Sequence, residues 1–286
     1  MFCQADREDV AVELNFIKPG MMLNWSARNK YKLILAILCL YLLLDGILHK
    51  GMVRVMLPAS YPAHAVQQPY KGDKSKLLVG DKQWVQAVNT LDRLNRLPAN
   101  AAGLECDIYF NSAKNLFEVH HDPGKSMGPD LSTWLQTYQQ RKMSASLWLD
   151  FKNLDAGNQV MALAELSRLR RVSGLSKKIL VESSEATLLT AFSDSGFFTS
   201  YYTPLFNPYL AGDAEKKQWA DSIAAVLGRC RVDALSGYYF QYPFLQHYFS
   251  NYPVLTWAVE DRWSLAAALF RRKLQADSSV FILLYP

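Results

Sequence analysis

From about residue 82 to the end of this chain, short apolar runs alternate with longer stretches of helical periodicity. The runs that read as strands are Trp84 to Val88, Gly103 to Ile108, Leu116 to His120, Leu147 to Phe151, Lys178 to Val181, Thr199 to Tyr202, Asp233 to Leu235, Val254 to Ala258 and Val280 to Leu284. Between them, Leu131 to Arg141, Gln159 to Arg171, Glu185 to Ser195, Ala214 to Leu227 and Arg262 to Gln275 carry helical patterns. Strand followed by helix, repeated, calls for a parallel sheet covered by helices. About eight units in roughly 200 residues suit a compact (β/α)8 barrel, a TIM-like α/β fold. An open doubly wound sheet has the same local signature, but no Gly-x-Gly-x-x-Gly follows the first run, which removes the main reason to choose a dinucleotide fold.

The remaining composition narrows the function classes. Half of the 286 residues are hydrophobic and 20% are charged, which is not a disordered composition. The net charge of +5 comes from cations scattered among acids, so nucleic-acid binding gets little support. Cys3, Cys39, Cys106 and Cys230 are too dispersed for a zinc site or a disulfide framework and are expected to be unpaired.

Before the alternating region, residues 33 to 44 are uninterrupted apolar, with Tyr31 and Lys32 able to extend the run. No polar residue marks any face for three turns, unlike a surface-packed helix, so residues 31–50 read as one transmembrane anchor. Arg28, Lys30 and Lys32 precede it, against Lys50 and Arg54 after it. That slight bias puts the N-terminus in the cytoplasm and the C-terminal domain on the non-cytoplasmic, periplasmic or extracellular, side. Residues 1–30 form a tail, and residues 51–81, punctuated by Pro58, Pro62 and Pro69, read as a linker. The barrel is expected over residues 82–286.

Within the second strand-like run, Glu105 and Asp107 share one face while Leu104, Cys106 and Ile108 take the other. The same arithmetic pairs Asp150 with Lys152. Converging carboxylates are costly to bury unless cations neutralise them, so three acids beside a lysine point to a hard cation and an anionic substrate. His121 precedes an Asp122-Pro123 turn. Blander readings stand beside these: a solvated strand end for the two acids, a turn histidine, a lysine in a surface salt bridge, and a core aromatic for Trp257.

At these residues the chain resembles the glycerophosphodiester phosphodiesterase and phosphatidylinositol-phospholipase-C-like barrel superfamily, most closely its menorin-like branch. That superfamily carries Glu-x-Asp at a strand end, then His-Asp, then acid-x-Lys; here these are Glu105 and Asp107, His121 and Asp122, and Asp150 and Lys152. Leu149 to Lys152 reads Leu-Asp-Phe-Lys, as in the menorin-like branch, and Gln86-Ala87-Val88-Asn89 stands where that branch has His-Ala-Val-Asn. Val181 to Ser184 and Val254 to Val259 resemble late strands of the same barrels. The resemblance implies a divalent metal, magnesium or calcium, on Glu105, Asp107 and Asp150. Lys152 would contact a phosphate, His121 would act as general acid or base, and Trp257 would form an apolar wall for the substrate. The implied partner is a small phosphodiester or a lipid headgroup.

One position departs from the pattern. Gln86 replaces the opening histidine, and an amide orients groups but does not exchange protons near neutral pH. His64 mimics the motif from within the linker, and His120, on a strand, would face away from His121. Two functions follow: a membrane-anchored, metal-dependent phosphodiester hydrolase working with one histidine, or a catalytically impaired barrel that binds a phosphorylated or anionic ligand. A structural cation held by the acids is a third reading.

Overall fold

The computed structural model describes residues 27–122, 128–258 and 261–286. Most of the expected tail, Pro123 of the expected turn, and Val259 lie outside the described residues. The chain divides into two compact units, which meet in sequence between Leu44 and Asp45. The first contains most of helix α1 (Ala27–Leu48), whose stretch Asn29–Leu48 has a mean hydropathy of 2.1 and is long and apolar enough to cross a membrane.

The second unit is a closed barrel. Its strands are β1 (Gln83–Val85), β2 (Gly103–Asn111), β4 (Ser146–Phe151), β5 (Ile179–Ser183), β6 (Phe198–Tyr202), β7 (Ala234–Tyr238), β8 (Val254–Trp257) and β9 (Val280–Tyr285), all parallel, with β9 returning to pair with β1. β3 (Leu116–Val119) is the exception: it pairs antiparallel with Ile108–Asn111 of β2, beyond the barrel wall. Four residues separate β2 from β3, enough for a hairpin but far too few for a parallel crossover.

Helices α3 (Leu91–Arg96), α4 (Leu131–Gln140), α5 (Gln159–Val172), α6 (Ala186–Asp194), α7 (Asp213–Leu227), α8 (Tyr242–Tyr248) and α9 (Leu265–Ala276) follow the strands. Their starts are written locally: Thr90, Asp130 and Ser264 cap α3, α4 and α9 by accepting from backbone N–H groups three residues on. α3 and α8 lie outside the stretches of helical pattern; both are two turns or less, too short for periodicity to register.

Strand alternation creates two apolar layers. Outward residues such as Leu104, Cys106, Ile108, Leu147, Leu149 and Val181 pack against the helices. Inward residues Trp84, Trp148, Leu180, Phe198, Ala234, Leu255 and Ile282 fill the lower barrel as a separate cluster, joined by Leu77. Trp84 lies against Gly103, where an added Cβ would come within 1.9 Å of the indole. The lumen is thus packed at the N-terminal ends of the strands, leaving only the C-terminal ends for a site.

Residues 51–81 do not hang free of the barrel. Helix α2 (Lys50–Met56) buries Met52 and Val55 and packs on α9. Further on, Gln68 donates to the Tyr248 carbonyl at 3.1 Å, Gly72 N–H donates to the Asn251 carbonyl at 3.1 Å, and Lys76 pairs with Asp233 at 3.0 Å. Just upstream, Asp45 accepts from the Ala266 N–H at 2.8 Å, while His49 lies 3.0 Å from Asp45 and 3.3 Å from Asp261.

Candidate active site

The acids converge because the register aligns them. Asp107 of β2 pairs laterally with Asp150 of β4, which pairs with Glu182 of β5, so three neighbouring strands point a carboxyl inward at one height. Glu105 lies one inward position below Asp107, opposite Trp148. Ligand oxygens of Glu105, Asp107 and Asp150 all lie within 4.8 Å of one another. Lys152, two residues beyond Asp150, places its Nζ 2.8 Å from Asp107 and in contact with Asp150.

The segment after β1 holds two of these acids in place. Ala87 adopts φ 56°, a left-handed backbone that a residue with a Cβ enters at a cost, and its N–H donates to Glu105 Oε2 at 2.5 Å. Asn89 then clamps Asp107 twice, donating from Nδ2 to Oδ2 at 2.6 Å and accepting the Asp107 N–H at 2.9 Å. The left-handed turn also ends β1 at Val85, three residues before the expected limit. Trp134 Nε1 fixes the segment from outside by donating to the Val88 carbonyl at 2.9 Å.

Electrostatics follow from crowding. Burial, reinforced by Asp107, pushes the Glu105 carboxyl up to about 8. Burial also raises Asp150, against the pull of Lys152, and raises Glu182 well above the usual carboxylate range, with Asp150 adding to it. Burial works to strip the Lys152 proton, but Asp150 and Asp107 win and hold the ammonium above its ordinary value.

These groups line a cavity of about 230 Å³ at the C-terminal end of the barrel, together with Gln86, Ala87, His121, Trp148, Tyr202, Tyr238, Trp257 and Leu284. The residues predicted from sequence, Glu105, Asp107, Asp150, Lys152, Gln86, His121 and Trp257, therefore all face one space. His121 stands at the rim, 72% exposed, with Nδ1 3.2 Å from the Asp122 carboxylate. His120 turns away from the cavity, its ring stacked on Tyr109 at 4.4 Å and its Nδ1 2.9 Å from the Asp122 carbonyl. His64 does not reach the site; its Nε2 lies 2.6 Å from Asp221 on α7.

Sequence reasoning passed over Glu182, Tyr202, Asn89 and the cavity-facing position of Tyr238. Glu182 was open to detection, since it lies two residues beyond inward Leu180, but a single acid in an apolar run gave no second group to pair it with. The donor set suits a hard cation. It is all oxygen, four lining carboxyls face one ammonium, and Glu182 Oε2 is buried without a hydrogen-bond partner.

Fold and site position define a TIM-type barrel with an acidic cavity at the carboxyl ends of its strands, the position such barrels use for chemistry. Among solved structures it is similar to a protein assigned as a glycerophosphoryl diester phosphodiesterase from Silicibacter pomeroyi, with a TM-score of 0.50 and 14% identity over 75% of this chain and 91% of that one. A glycerophosphodiester phosphodiesterase from Parabacteroides distasonis aligns at TM-score 0.48 and 17% identity over 72% and 93% of the two chains. A phosphodiesterase from Oleispira antarctica, solved with the product sn-glycerol-3-phosphate, aligns at 0.46 and 13% over 74% and 94%. The likeness is one of barrel fold. No protein-family model matches the sequence, and no curated protein does.

Proposed function

We propose that this protein is a metal-dependent phosphodiester hydrolase of the glycerophosphodiesterase type. Residues 82–286 would be its barrel and residues 31–50 its membrane anchor, with the barrel on the non-cytoplasmic side. The observation that carries the reading is the convergence of Glu105, Asp107 and Asp150 with Lys152 in one cavity. Those three carboxylates are the residues that would hold magnesium or calcium. A cation held there would neutralise charge building on a phosphoryl oxygen. Lys152 faces the same oxygens as a fixed ammonium. His121 accepts or delivers the proton at one end of the reaction, a task suited to imidazole near neutral pH. Gln86 orients a group at the other end by hydrogen bonds without moving a proton.

A second reading is favoured by one specific observation: His121 is the only histidine among the described residues lining the cavity, and it is mostly exposed. On that reading the barrel binds a phosphorylated or anionic ligand without turnover. The full chain in detergent, assayed with an aryl phosphodiester and a glycerophosphodiester, separates the two. Turnover that needs magnesium or calcium and disappears in Asp107→Ala supports the hydrolase. Metal binding without turnover, with activity appearing only in Gln86→His, refutes it in favour of the binding module.

A further inference from the structure

An acid inside an apolar stretch needs partners, and those of Asp45 come from the barrel. Asp45 stands three residues before the end of Asn29–Leu48, about 4.5 Å inside it at the α-helical rise. It is nevertheless buried: it accepts the Ala266 N–H, in the first turn of α9, at 2.8 Å, and lies 3.0 Å from His49. His49 in turn lies 3.2 Å from Ser264 Oγ and 3.3 Å from Asp261. All of these residues belong to the unit that begins at Asp45. The end of a stretch long enough to cross a membrane is thus fastened to the N-terminus of α9. Whatever depth Leu48 takes in a bilayer, the first turn of α9 shares it to within a few residues' rise.

The surface around that fastening is apolar. Trp263, one residue before the Ser264 cap, is 88% exposed. Leu265, Ala268, Leu269 and Arg272 follow at i, i+3, i+4 and i+7, and all four are exposed. The outer face of α9 is therefore an apolar stripe ending in a cation, where a helix on a soluble barrel would carry polar residues. The pattern extends around the mouth of the cavity, because each helix begins where a strand ends. Eight large apolar side chains from β1 onward are exposed among the described residues. Six of them, Val160, Met161, Leu205, Leu210, Trp263 and Leu265, lie in a loop or first helical turn that follows the C-terminal end of a strand. Scattered exposed apolar residues need no explanation, but their gathering at one end of a barrel does.

A lipid surface fits this face better than a second protein does. The Asp45 contacts set its depth beside the end of the apolar stretch, tryptophan is a side chain that membrane interfaces favour, and Arg262 and Arg272, both exposed, match phosphate headgroups. We infer that the rim between β8 and α9, with Trp263, Leu265 and Leu269, docks on the bilayer surface and turns the mouth of the cavity toward it. This rests on the proposed membrane anchor and is independent of the hydrolase reading.

The test uses the full chain in vesicles of phosphatidylcholine and phosphatidylglycerol, with Cys3→Ala and Cys39→Ala; Cys106 and Cys230 are buried. A single environment-sensitive label is carried by Leu269→Cys, or by Val172→Cys at the C-terminal end of α5 as the reference. Lipid bearing a nitroxide near its headgroup is the quencher, flotation reports membrane attachment, and thermal melts establish that each variant is folded. The label on Leu269→Cys is expected to emit to the blue and to lose most of its emission to the nitroxide, while the label on Val172→Cys keeps its own. Trp263→Glu, a charge at an exposed position, is expected to restore most of the emission of the Leu269→Cys label. Leu210→Cys, also exposed at the mouth, carries the label if Leu269→Cys does not fold. Flotation with equally weak quenching at both positions overturns the inference and leaves the anchor standing. Quenching that survives Trp263→Glu also overturns it, because nearness to the anchor would then account for the signal without docking. Cross-linking between labelled chains in place of quenching identifies a second copy as the occupant and overturns it. A chain that does not float with the vesicles overturns both the anchor and the inference.

Discussion

Raising the pH from 5 to 8 is expected to destabilise the metal-free protein, and a divalent cation to restore it most strongly at the alkaline end. Glu105 is the source of the slope, its carboxyl pushed by burial from an ordinary 4.5 up to about 8. Between those values the folded protein keeps a proton that the unfolded chain has released, so the folded state is the better proton binder and stability falls as pH rises. The contribution is fully present below 4.5 and is lost as pH passes about 8. A displacement of that size sets a ceiling of about 5 kcal/mol. Asp150 and Glu182 are raised in the same direction and steepen the slope. Lys152, held above its ordinary value, keeps its stabilising charge throughout this window and does not offset them. A metal must displace the Glu105 proton, so two pH units below 8 its apparent affinity should be weaker by about a hundredfold. Thermal unfolding of chelator-treated protein across pH 5 to 8, and calorimetric titration with magnesium or calcium in buffers of different ionisation enthalpy, measure both effects. Glu105→Gln should flatten the stability profile. A metal affinity independent of pH, with no proton released at pH 6, would refute the reasoning.

Substitutions at two positions test the segment that holds the acids. Asn89→Ala removes both hydrogen bonds to Asp107 and should cost about 2 kcal/mol of stability and 10- to 100-fold in metal affinity, measured by denaturant unfolding and calorimetry. At Ala87, where φ is 56°, Gly should leave the melting temperature unchanged or raise it, while Val should lower stability by about 1–2 kcal/mol; equal effects of the two would show that the backbone conformation is not what matters there.

What the sequence discloses about this site follows the range of each physical rule. Alternation has a period of two and acts within one strand, so Glu105 with Asp107, and Asp150 with Lys152, could be placed on common faces without knowing the fold. Lateral register is set by closure of the whole barrel, and it is register that puts Asp107, Asp150 and Glu182 at one height. Glu182 therefore escaped notice, as did Tyr202 and Tyr238 beside the expected Trp257, since the three rings come from three strands with no shared spacing. Composition misleads in the opposite direction at residues 51–81. Their prolines and glutamines have the character of a linker, yet Gly72 sits where any Cβ would collide with the Asp233 carbonyl at 1.9 Å. That close approach, like the Gln68 and Lys76 contacts, belongs to a strap across the barrel and leaves no trace in local pattern.

The segment Gln86 to Asn89 combines both situations. Its likeness to His-Ala-Val-Asn makes Gln86 the one departure from that pattern. In the structure, Ala87 and Asn89 hold Glu105 and Asp107 in place through the Ala87 N–H and the Asn89 amide, whatever stands at position 86. A substitution at Gln86 can therefore change proton transfer while leaving the scaffold of the acids intact. That separation is what makes Gln86→His an informative test of turnover against binding.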